Sequence, residues 1–249
     1  MEYQELNAKI ISRWCREGWE WGKPISHEAY EKAQSGTWDV YLTPTKAVPH
    51  EWLGKLSGKR ILGLASGGGQ QIPIFSALGA KCTVLDYSSE QCKSERLVAD
   101  REGYDVDIIK ADMTKKLPFD DGTFDIIFHP VSNCYVEKVE PIFKECYRVL
   151  KRGGLFLGGY SLDINYVFDE KEENMIYSLP FNPLKDPKQY EDSIKNDWGI
   201  QFSHSIEEQI NGQLKAGFRL LSLYEDTGGV GLLHVHNVPS FIATLSIKE

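Results

Sequence analysis

Three consecutive glycines follow an apolar run in the stretch ILGLASGGGQQ, residues 61–71. Glycine is costly wherever ordinary backbone would serve, so three together indicate a turn in which something approaches bare main chain closely. A helix that begins after such a turn presents free N–H groups at its first residues. The order of strand, glycines and helix is therefore typical of a site for an anion or a nucleoside.

Two carboxylates follow the next two apolar runs of the chain. Asp86 ends the run KCTVLD, and Asp112 ends the run VDIIKAD. If both runs are parallel strands, their carboxyl ends lie beside the glycines, where open α/β sheets bind ligands. Asp86 could then accept both hydroxyls of a ribose. Asp112 could accept a hydrogen bond from an adenine amino group while Met113 packs on the ring.

Each of these residues also has a purely structural interpretation. The glycines could only permit a tight turn, Asp86 could only mark the entry to a helix, and Asp112 could cap the turn that follows it. His129, at the end of a further apolar run, could be a hydrogen-bonded core residue rather than a contact.

The elements that position these groups alternate regularly from Lys59 onward. Apolar runs that alternate with helical patterns are typical of a parallel sheet covered on both faces. The last two runs, FRLLSLYED and SFIATLSIKE, have no helical pattern between them and are expected to pair antiparallel. The sequence thus predicts an α/β fold whose sheet is parallel except for one reversed edge strand. The expected strands are RILGLA, KCTVLDY, VDIIKAD, TFDIIFHP and LFLGGYS, followed by those last two runs.

Two regions do not follow the alternation. Residues 1–57 hold five of the six tryptophans and are predicted to form an aromatic-rich helical flap. Residues 58–249 would form the main domain, interrupted by an irregular insertion at 161–203 that could close over a ligand. The flap residues expected to supply flat apolar walls, unless they only pack the flap onto the sheet, are Trp14, Tyr30, Trp38 and Tyr41.

The composition narrows the class of function. The net charge is −8, and lysine and arginine are not clustered, which argues against nucleic acid as a partner. The five cysteines are scattered and form no metal-binding pair, so reduced thiols and no metal site are expected. The sequence has no pattern of a signal peptide or a membrane span, so a cytoplasmic location is expected. Monomer and homodimer both remain open.

Five stretches together resemble the class I S-adenosylmethionine-dependent methyltransferases, of the broad type 11 group that includes the ubiquinone and menaquinone biosynthesis enzymes. The resemblance implies a three-layer Rossmann-like fold with a seven-stranded sheet whose last strand is antiparallel. It also implies methyl transfer from S-adenosylmethionine to a small organic molecule. The matching stretches are ILGLASGGGQ, TVLDYS, IIKADMTKKLPFDDGTFDIIF, YRVLKRGGLFLGGY and LKAGFRLLSLYED. The residues assigned to the cofactor are Ala65, Ser66, Gly67, Gly69, Gln70, Asp86, Tyr87, Asp112, Met113, His129, Pro130 and Val131.

Two positions depart from the family pattern. The family usually has an acidic residue at position 63 and glycine at position 65, where this chain has Gly63 and Ala65. The acidic residue commonly helps to hold the methionine ammonium group. Main-chain carbonyls near Ala65 and His129, or a side chain from the flap, are left to do so here.

The sequence does not single out a general base. The candidates are His129 and Tyr135, together with the pair His234 and His236, for which no third metal ligand is evident. The sequence HPVS at 129–132 differs from the Pro-Pro-aromatic pattern of methyltransferases that modify bases of nucleic acids.

Two other functions compete with methyl transfer. A nicotinamide-dependent oxidoreductase would require GxGxxG, but Ile72 stands where the third glycine or alanine belongs. A protein that binds the cofactor without catalysis is suggested by Gly63 and Ala65.

Overall fold

Seven strands form a single sheet in the computed structural model, which describes residues 2–249. Across the sheet the strands lie in the order β3-β2-β1-β4-β5-β7-β6. Strands β1 to β5 are parallel, whereas β7 is antiparallel to both of its neighbours. The predicted parallel sheet with an antiparallel last strand is confirmed. The strands are β1 (Arg60–Leu64), β2 (Lys81–Asp86), β3 (Val106–Lys110), β4 (Phe124–His129), β5 (Leu150–Ser161), β6 (Phe218–Asp226) and β7 (Phe241–Lys248).

The reversed strand is not at the edge of the sheet, so that part of the prediction is wrong. Strand β7 lies between β5 and β6, and residues 242–246 are buried without interruption. Strand β6 alternates between more and less buried residues, as a strand at the edge does when one face meets solvent. A five-residue helix, Gly231–Val235, also lies in the connection that the sequence indicated to be without one.

Nine α-helices accompany the sheet within residues 2–249. Three of them begin at serines that cap a main-chain N–H group: Ser26, Ser88 and Ser205. At Ser205 the side chains of Ser205 and Glu208 form a complete capping box, and Gly217 ends that helix in a left-handed conformation. The helices are α1 (Tyr3–Arg16), α2 (His27–Gln34), α3 (His50–Leu53), α4 (Gln71–Ala77), α5 (Ser89–Glu102), α6 (Glu140–Val149), α7 (Pro187–Lys195), α8 (Ile206–Ala216) and α9 (Gly231–Val235).

The two faces of the sheet bury separate apolar cores. On one face, Val40, Leu42 and Trp52 of the N-terminal segment join Ile61 and Phe75 in one cluster. The other face packs against helices α6 and α8. The N-terminal segment therefore contributes directly to the core beneath β1.

No helix among residues 2–249 combines the length and the apolarity that crossing a bilayer requires.

Candidate active site

The turn between β1 and α4 requires each of its three glycines. A Cβ atom on Gly67 would lie 3.0 Å from Asp86 Oδ2. Gly68 and Gly69 have positive φ angles of +96° and +69°, and a Cβ on Gly69 would lie 2.7 Å from Val98 Cγ2. The turn thus packs closely on β2 and α5 and adopts backbone angles that favour glycine.

Asp86 lies at the end of β2 and is buried against this turn. Its Oδ2 accepts a hydrogen bond from the Gly67 N–H at 3.1 Å, and its Oδ1 accepts one from the Ser88 N–H at 2.8 Å. Burial raises the pKa of this carboxyl to about 6, although the two hydrogen bonds act in the opposite direction. No lysine or arginine within residues 2–249 forms an ion pair with it. The carboxyl keeps lone pairs for further donors, such as the hydroxyls of a sugar.

Two adjoining cavities lie at the carboxyl ends of the central strands. The larger has a volume of about 760 Å³, and the smaller has a volume of about 120 Å³. Residues from the end of β1, the end of β4 and the N-terminal segment line both cavities and form a shared wall. The residues of this shared wall are Trp19, Ala65, Gln91, Val131 and Tyr135.

Ten of the twelve residues assigned to the cofactor line one of these cavities. Gly69 and His129 do not. The smaller cavity is lined by Asp86, Tyr87, Asp112 and Met113, the larger by Ser66, Gly67, Gln70 and Pro130, and both by Ala65 and Val131.

His129 lies wholly inside the protein. Its exposed fraction is 0%, and its ring nitrogens lie 2.9 Å from the Leu64 oxygen and 2.8 Å from Asn133 Oδ1. Burial lowers the pKa of the imidazole, so the ring is neutral near pH 7. Because the ring connects β1 to the turn after β4 and reaches neither cavity, this geometry does not support His129 as a catalytic base or as a side-chain contact to the cofactor.

Tyr135, the other predicted catalytic residue, lies at the junction of the cavities. The helical turn Asn133–Tyr135 directly after β4 positions it. Burial raises the pKa of its hydroxyl well above the ordinary value, so the hydroxyl is protonated near pH 7. In this state it can donate a hydrogen bond into either cavity, but it is not a strong proton acceptor.

The side chains of Asp112 and Gln70 each form hydrogen bonds with the main chain of the protein itself. Asp112 Oδ1 accepts a hydrogen bond from the Thr114 N–H at 2.8 Å, so it caps a turn and also lines the smaller cavity. Gln70 Nε2 donates to the main-chain oxygens of Glu20 at 2.8 Å and Lys23 at 3.1 Å. The Gln70 side chain therefore holds the N-terminal segment against the glycine turn.

The aromatic walls are only partly those predicted. Trp14 and Tyr41 line the larger cavity. Tyr30 does not, because it stacks on Tyr104 with the ring centroids 5.7 Å apart, and Trp38 stacks on His50 at 3.8 Å. Further lining residues that the sequence did not single out are Trp19, Trp21, Gln91, Tyr166, Trp198 and Phe241.

Helix α1 and the segment 197–201 contact each other beside the two cavities, since Asn7 lines the smaller cavity and Trp14 and Asp197 line the larger one. Asn7 binds the main chain of Ile200 through two hydrogen bonds of 2.8 Å, one donated and one accepted. Trp14 Nε1 donates to Asp197 Oδ2 at 2.8 Å, and Arg13 forms an ion pair with the same carboxylate. These contacts join parts of the chain that are more than 180 residues apart in sequence.

The local structure differs at the two positions, Gly63 and Ala65, that depart from the family pattern: a side chain at 63 would meet Ile72, and Ala65 has a positive φ angle. A Cβ on Gly63 would lie 2.6 Å from Cδ1 of Ile72, which is fully buried, so Ile72 occupies the space that a side chain at 63 needs. Ala65 has a φ of +48°, in the left-handed region that favours glycine.

His234 and His236 are exposed and line neither cavity. His234 Nδ1 lies 2.7 Å from Thr227 Oγ1. Within residues 2–249, no group of three or more histidine, cysteine, aspartate or glutamate side chains is arranged to hold a metal ion.

The sheet order, the glycine turn and the carboxylate at the end of β2 are typical of a Rossmann-like fold, which binds nucleosides at this edge of its sheet. A family model described as a methyltransferase domain matches residues 62–158. The "Uncharacterized methyltransferase YbaJ" of Bacillus subtilis (strain 168) is 39% identical over 250 residues, which cover 97% of this chain and 97% of that protein. The chain therefore belongs to the class I S-adenosylmethionine-dependent methyltransferases, of the type 11 group. Its cofactor is S-adenosylmethionine, which removes the nicotinamide-dependent alternative.

Solved structures share this fold. An S-adenosylmethionine-dependent methyltransferase from Mesorhizobium loti has a TM-score of 0.63 and 17% identity, covering 80% of this chain and 95% of that one. The geranyl diphosphate C-methyltransferase from Streptomyces coelicolor A3(2) has a TM-score of 0.63 and 16% identity, covering 100% and 99%. At these identities the likeness concerns the fold alone.

Proposed function

We propose that the methyl acceptor is a small organic molecule with an apolar or aromatic body, which binds in the larger cavity. The observation that carries this proposal is the shared wall between the two cavities. A methyl donor bound in the smaller cavity would meet a methyl acceptor bound in the larger cavity at this wall. Val131 and Tyr135 belong to that wall, which would then surround the reacting atoms.

The residues of the smaller cavity fit the nucleoside part of the cofactor. Asp86 would accept hydrogen bonds from the ribose hydroxyls, and the second oxygen of Asp112 would accept one from the adenine amino group. Met113 is 9% exposed and would pack on the purine ring. Gly67 would allow the main chain to approach the amino-acid part. When bound, S-adenosylmethionine supplies an electrophilic methyl group on a sulfonium.

The protein would promote the transfer by orienting the reactants and excluding water. Reactions of this kind depend on holding nucleophile, carbon and leaving group in line. The contact of Trp14 with Asp197 would exclude water from the larger cavity, and Asn7, bonded to Ile200, would do so from the smaller one. The protonated Tyr135 would orient an acceptor by donating a hydrogen bond.

The charge of the cavity lining favours an acceptor without anionic groups. Of the residues 2–249 that line the larger cavity, those with charged side chains are Glu17 and Asp197. Both form ion pairs with Arg13, which is not itself part of the lining. A phosphate or carboxylate on the acceptor would find no basic side chain there.

We further propose that residues 1–57 act as a flap and residues 161–203 as a cap over the main domain. The test is limited proteolysis with and without S-adenosylhomocysteine. Slower cleavage within residues 1–55 in the presence of this compound is expected, and unchanged cleavage would contradict a closing flap.

We also propose that the enzyme acts in the cytoplasm, as a monomer or a homodimer, and that its methyl acceptor is not a nucleic acid. The net charge of −8 supports the last point, because a phosphate backbone requires clustered positive charge.

The acceptor itself can be found by mass spectrometry of cell extract incubated with the enzyme and isotope-labelled cofactor. We expect a labelled product one methyl group heavier than a compound in the extract. The alternative is a protein that binds the cofactor without catalysis, which the departures Gly63 and Ala65 suggest. In that case no extract would yield a labelled product, although the protein would still bind S-adenosylhomocysteine.

A further inference from the structure

Glu95 is a fully buried carboxyl on α5, behind the glycine turn. Its exposed fraction is 0%. Its Oε2 accepts a hydrogen bond from the Gly69 N–H at 3.0 Å, and its Oε1 accepts one from the Tyr104 hydroxyl at 3.0 Å. No lysine or arginine of the described chain forms an ion pair with it. Since burying an unpaired carboxyl is costly, these two hydrogen bonds are the contacts that compensate for it.

The peptide groups of Gly69 are held from both sides. The Gly69 oxygen accepts a hydrogen bond from the Ile25 N–H at 2.9 Å, while Glu95 holds its N–H. A Cβ on Gly69 would lie 2.9 Å from the Ser94 oxygen, so the turn already touches α5. Gly69, which the sequence analysis assigned to the cofactor, thus faces Glu95. Gly67, two positions earlier, lines the larger cavity.

We propose that Glu95 is a positioning residue for cofactor binding, which fixes the glycine turn through the Gly69 N–H so that Gly67 faces the cofactor. Glu95 touches neither cavity and acts only through the main chain. The proposal rests on the proposed function in one respect, namely that the cofactor lies against this turn.

Both hydrogen bonds can form whether Glu95 is ionised or protonated. The Gly69 N–H always donates to Oε2, whereas the Tyr104 hydroxyl can donate to an ionised Oε1 or accept from a protonated one. Burial raises the pKa of this carboxyl to about 7, while the bonds from Tyr104 and Gly69 act in the opposite direction. The ionisable groups that face it are Tyr104, Asp86, Arg96, Cys82 and Cys92. Burial raises the pKa of each of these cysteines to about 12, so both are neutral near pH 7.

The first experiment follows the Gly69 amide resonance by NMR in the protein without cofactor, from about pH 5.5 to 8.5. The wild-type resonance is expected to shift with a midpoint near 7. In an Asp86→Asn background, which removes the other carboxyl that titrates beside this turn, Glu95→Gln should abolish that shift, whereas Asp100→Asn, an exposed residue on the same helix, should keep it. A Gly69 resonance that does not respond to pH, or that titrates equally in Glu95→Gln, would overturn the proposal.

The second experiment measures the affinity for S-adenosylhomocysteine by calorimetry. Glutamine can still accept the Gly69 hydrogen bond and donate to the Tyr104 oxygen, so Glu95→Gln should bind within about threefold of wild type. Glu95→Met leaves the Gly69 N–H buried without a partner and should bind about tenfold more weakly. Wild-type affinity in a folded Glu95→Met would contradict a positioning role.

The two experiments separate this inference from the proposed function. If wild-type protein binds no S-adenosylhomocysteine, the cofactor assignment fails, while the Gly69 titration still reports the contact with Glu95. If Glu95→Met does not fold, the titration of the wild type and of Glu95→Gln decides the matter.

Discussion

The two cavities of this protein are built in different ways. The smaller one is lined largely by residues that directly follow strands of the parallel sheet, such as Asp86 and Asp112. The larger one is closed by parts of the chain that are far apart in sequence, as the contact between Trp14 and Asp197 shows. The smaller cavity, proposed for the nucleoside, is therefore built mainly on strand ends with α1 packed against them, whereas the larger cavity, proposed for the acceptor, exists only after distant segments have packed together.

The largest effect is expected on the nucleoside side, from Asp86→Ala. It removes the carboxylate that would hold the ribose and leaves the N–H groups of Gly67 and Ser88 without their acceptor. We expect the affinity for S-adenosylhomocysteine to fall at least about tenfold, because charge-assisted hydrogen bonds contribute about 1.5–3 kcal/mol. Calorimetry measures this change.

Asp107→Ala on the neighbouring strand is the matched control, since this aspartate is exposed and outside both cavities. Unchanged affinity in Asp86→Ala would mean that the ribose lies elsewhere and that the two sides of the site have been assigned wrongly.

The next effect concerns the contact between α1 and the segment 197–201, of which Asp197, Trp198 and Gln201 line the larger cavity. Asn7→Ala removes both hydrogen bonds to Ile200 and leaves its main-chain groups unpaired inside the protein. The free energy of unfolding should fall by about 1–3 kcal/mol, as expected for buried groups left without a partner. Urea denaturation gives this value, and faster proteolysis within α1 should accompany it.

Glu5→Ala, an exposed position on the same helix, should change the stability by less than about 0.5 kcal/mol. Equal stability of Asn7→Ala and wild type would show that the contact with Ile200 does not hold the two segments together.

A third effect comes from the titration of Asp86. Its pKa of about 6 lies above the ordinary value, so lowering the pH from 7 to 5 protonates a carboxyl that must accept hydrogen bonds from the cofactor. The affinity for S-adenosylhomocysteine should therefore decrease over this range, by up to about tenfold at pH 5.

Because Glu95 titrates in the same range, this measurement is best made in the Glu95→Gln background. Adding Asp86→Asn should make the affinity independent of pH, and a persisting pH dependence would assign it to another group.

The smallest effect is expected from Ala65→Gly, on the wall shared by the two cavities. Glycine relieves the left-handed strain at a φ of +48° but gives the unfolded chain more freedom. The two effects nearly cancel, so the free energy of unfolding should rise by no more than about 1 kcal/mol. Ala8→Gly, within α1, should instead lower it by about 1 kcal/mol. A clear loss of stability in Ala65→Gly would indicate that the Ala65 methyl makes contacts that outweigh the strain.

The same difference between the two sides explains what the sequence could predict. The glycine turn, Asp86 and the succession of strands and helices along the chain follow from short patterns, because each depends on neighbours in the chain. The roles of Tyr30 and Trp38 could not be predicted in this way, since their partners Tyr104 and His50 are set by tertiary packing. Glu95 carries no motif, and its importance appears only when α5 lies behind Gly69.

The place of β7 was predicted wrongly for a related reason. A hairpin of β6 and β7 can join β5 through either strand, and only burial on both faces distinguishes the inner strand from the edge.

The close packing of Ile72 over Gly63 has a consequence for how this site can change during evolution. Replacing Gly63 with an acidic residue would place its Cβ 2.6 Å from Ile72, inside the fully buried core. An acidic side chain at position 63 therefore requires the Ile72 side chain to shift within the core, whereas a prior change of Ile72 to a smaller residue would open the necessary space. Variants that acquire the carboxylate are thus expected to change Ile72 first, and to pass through a loosely packed intermediate.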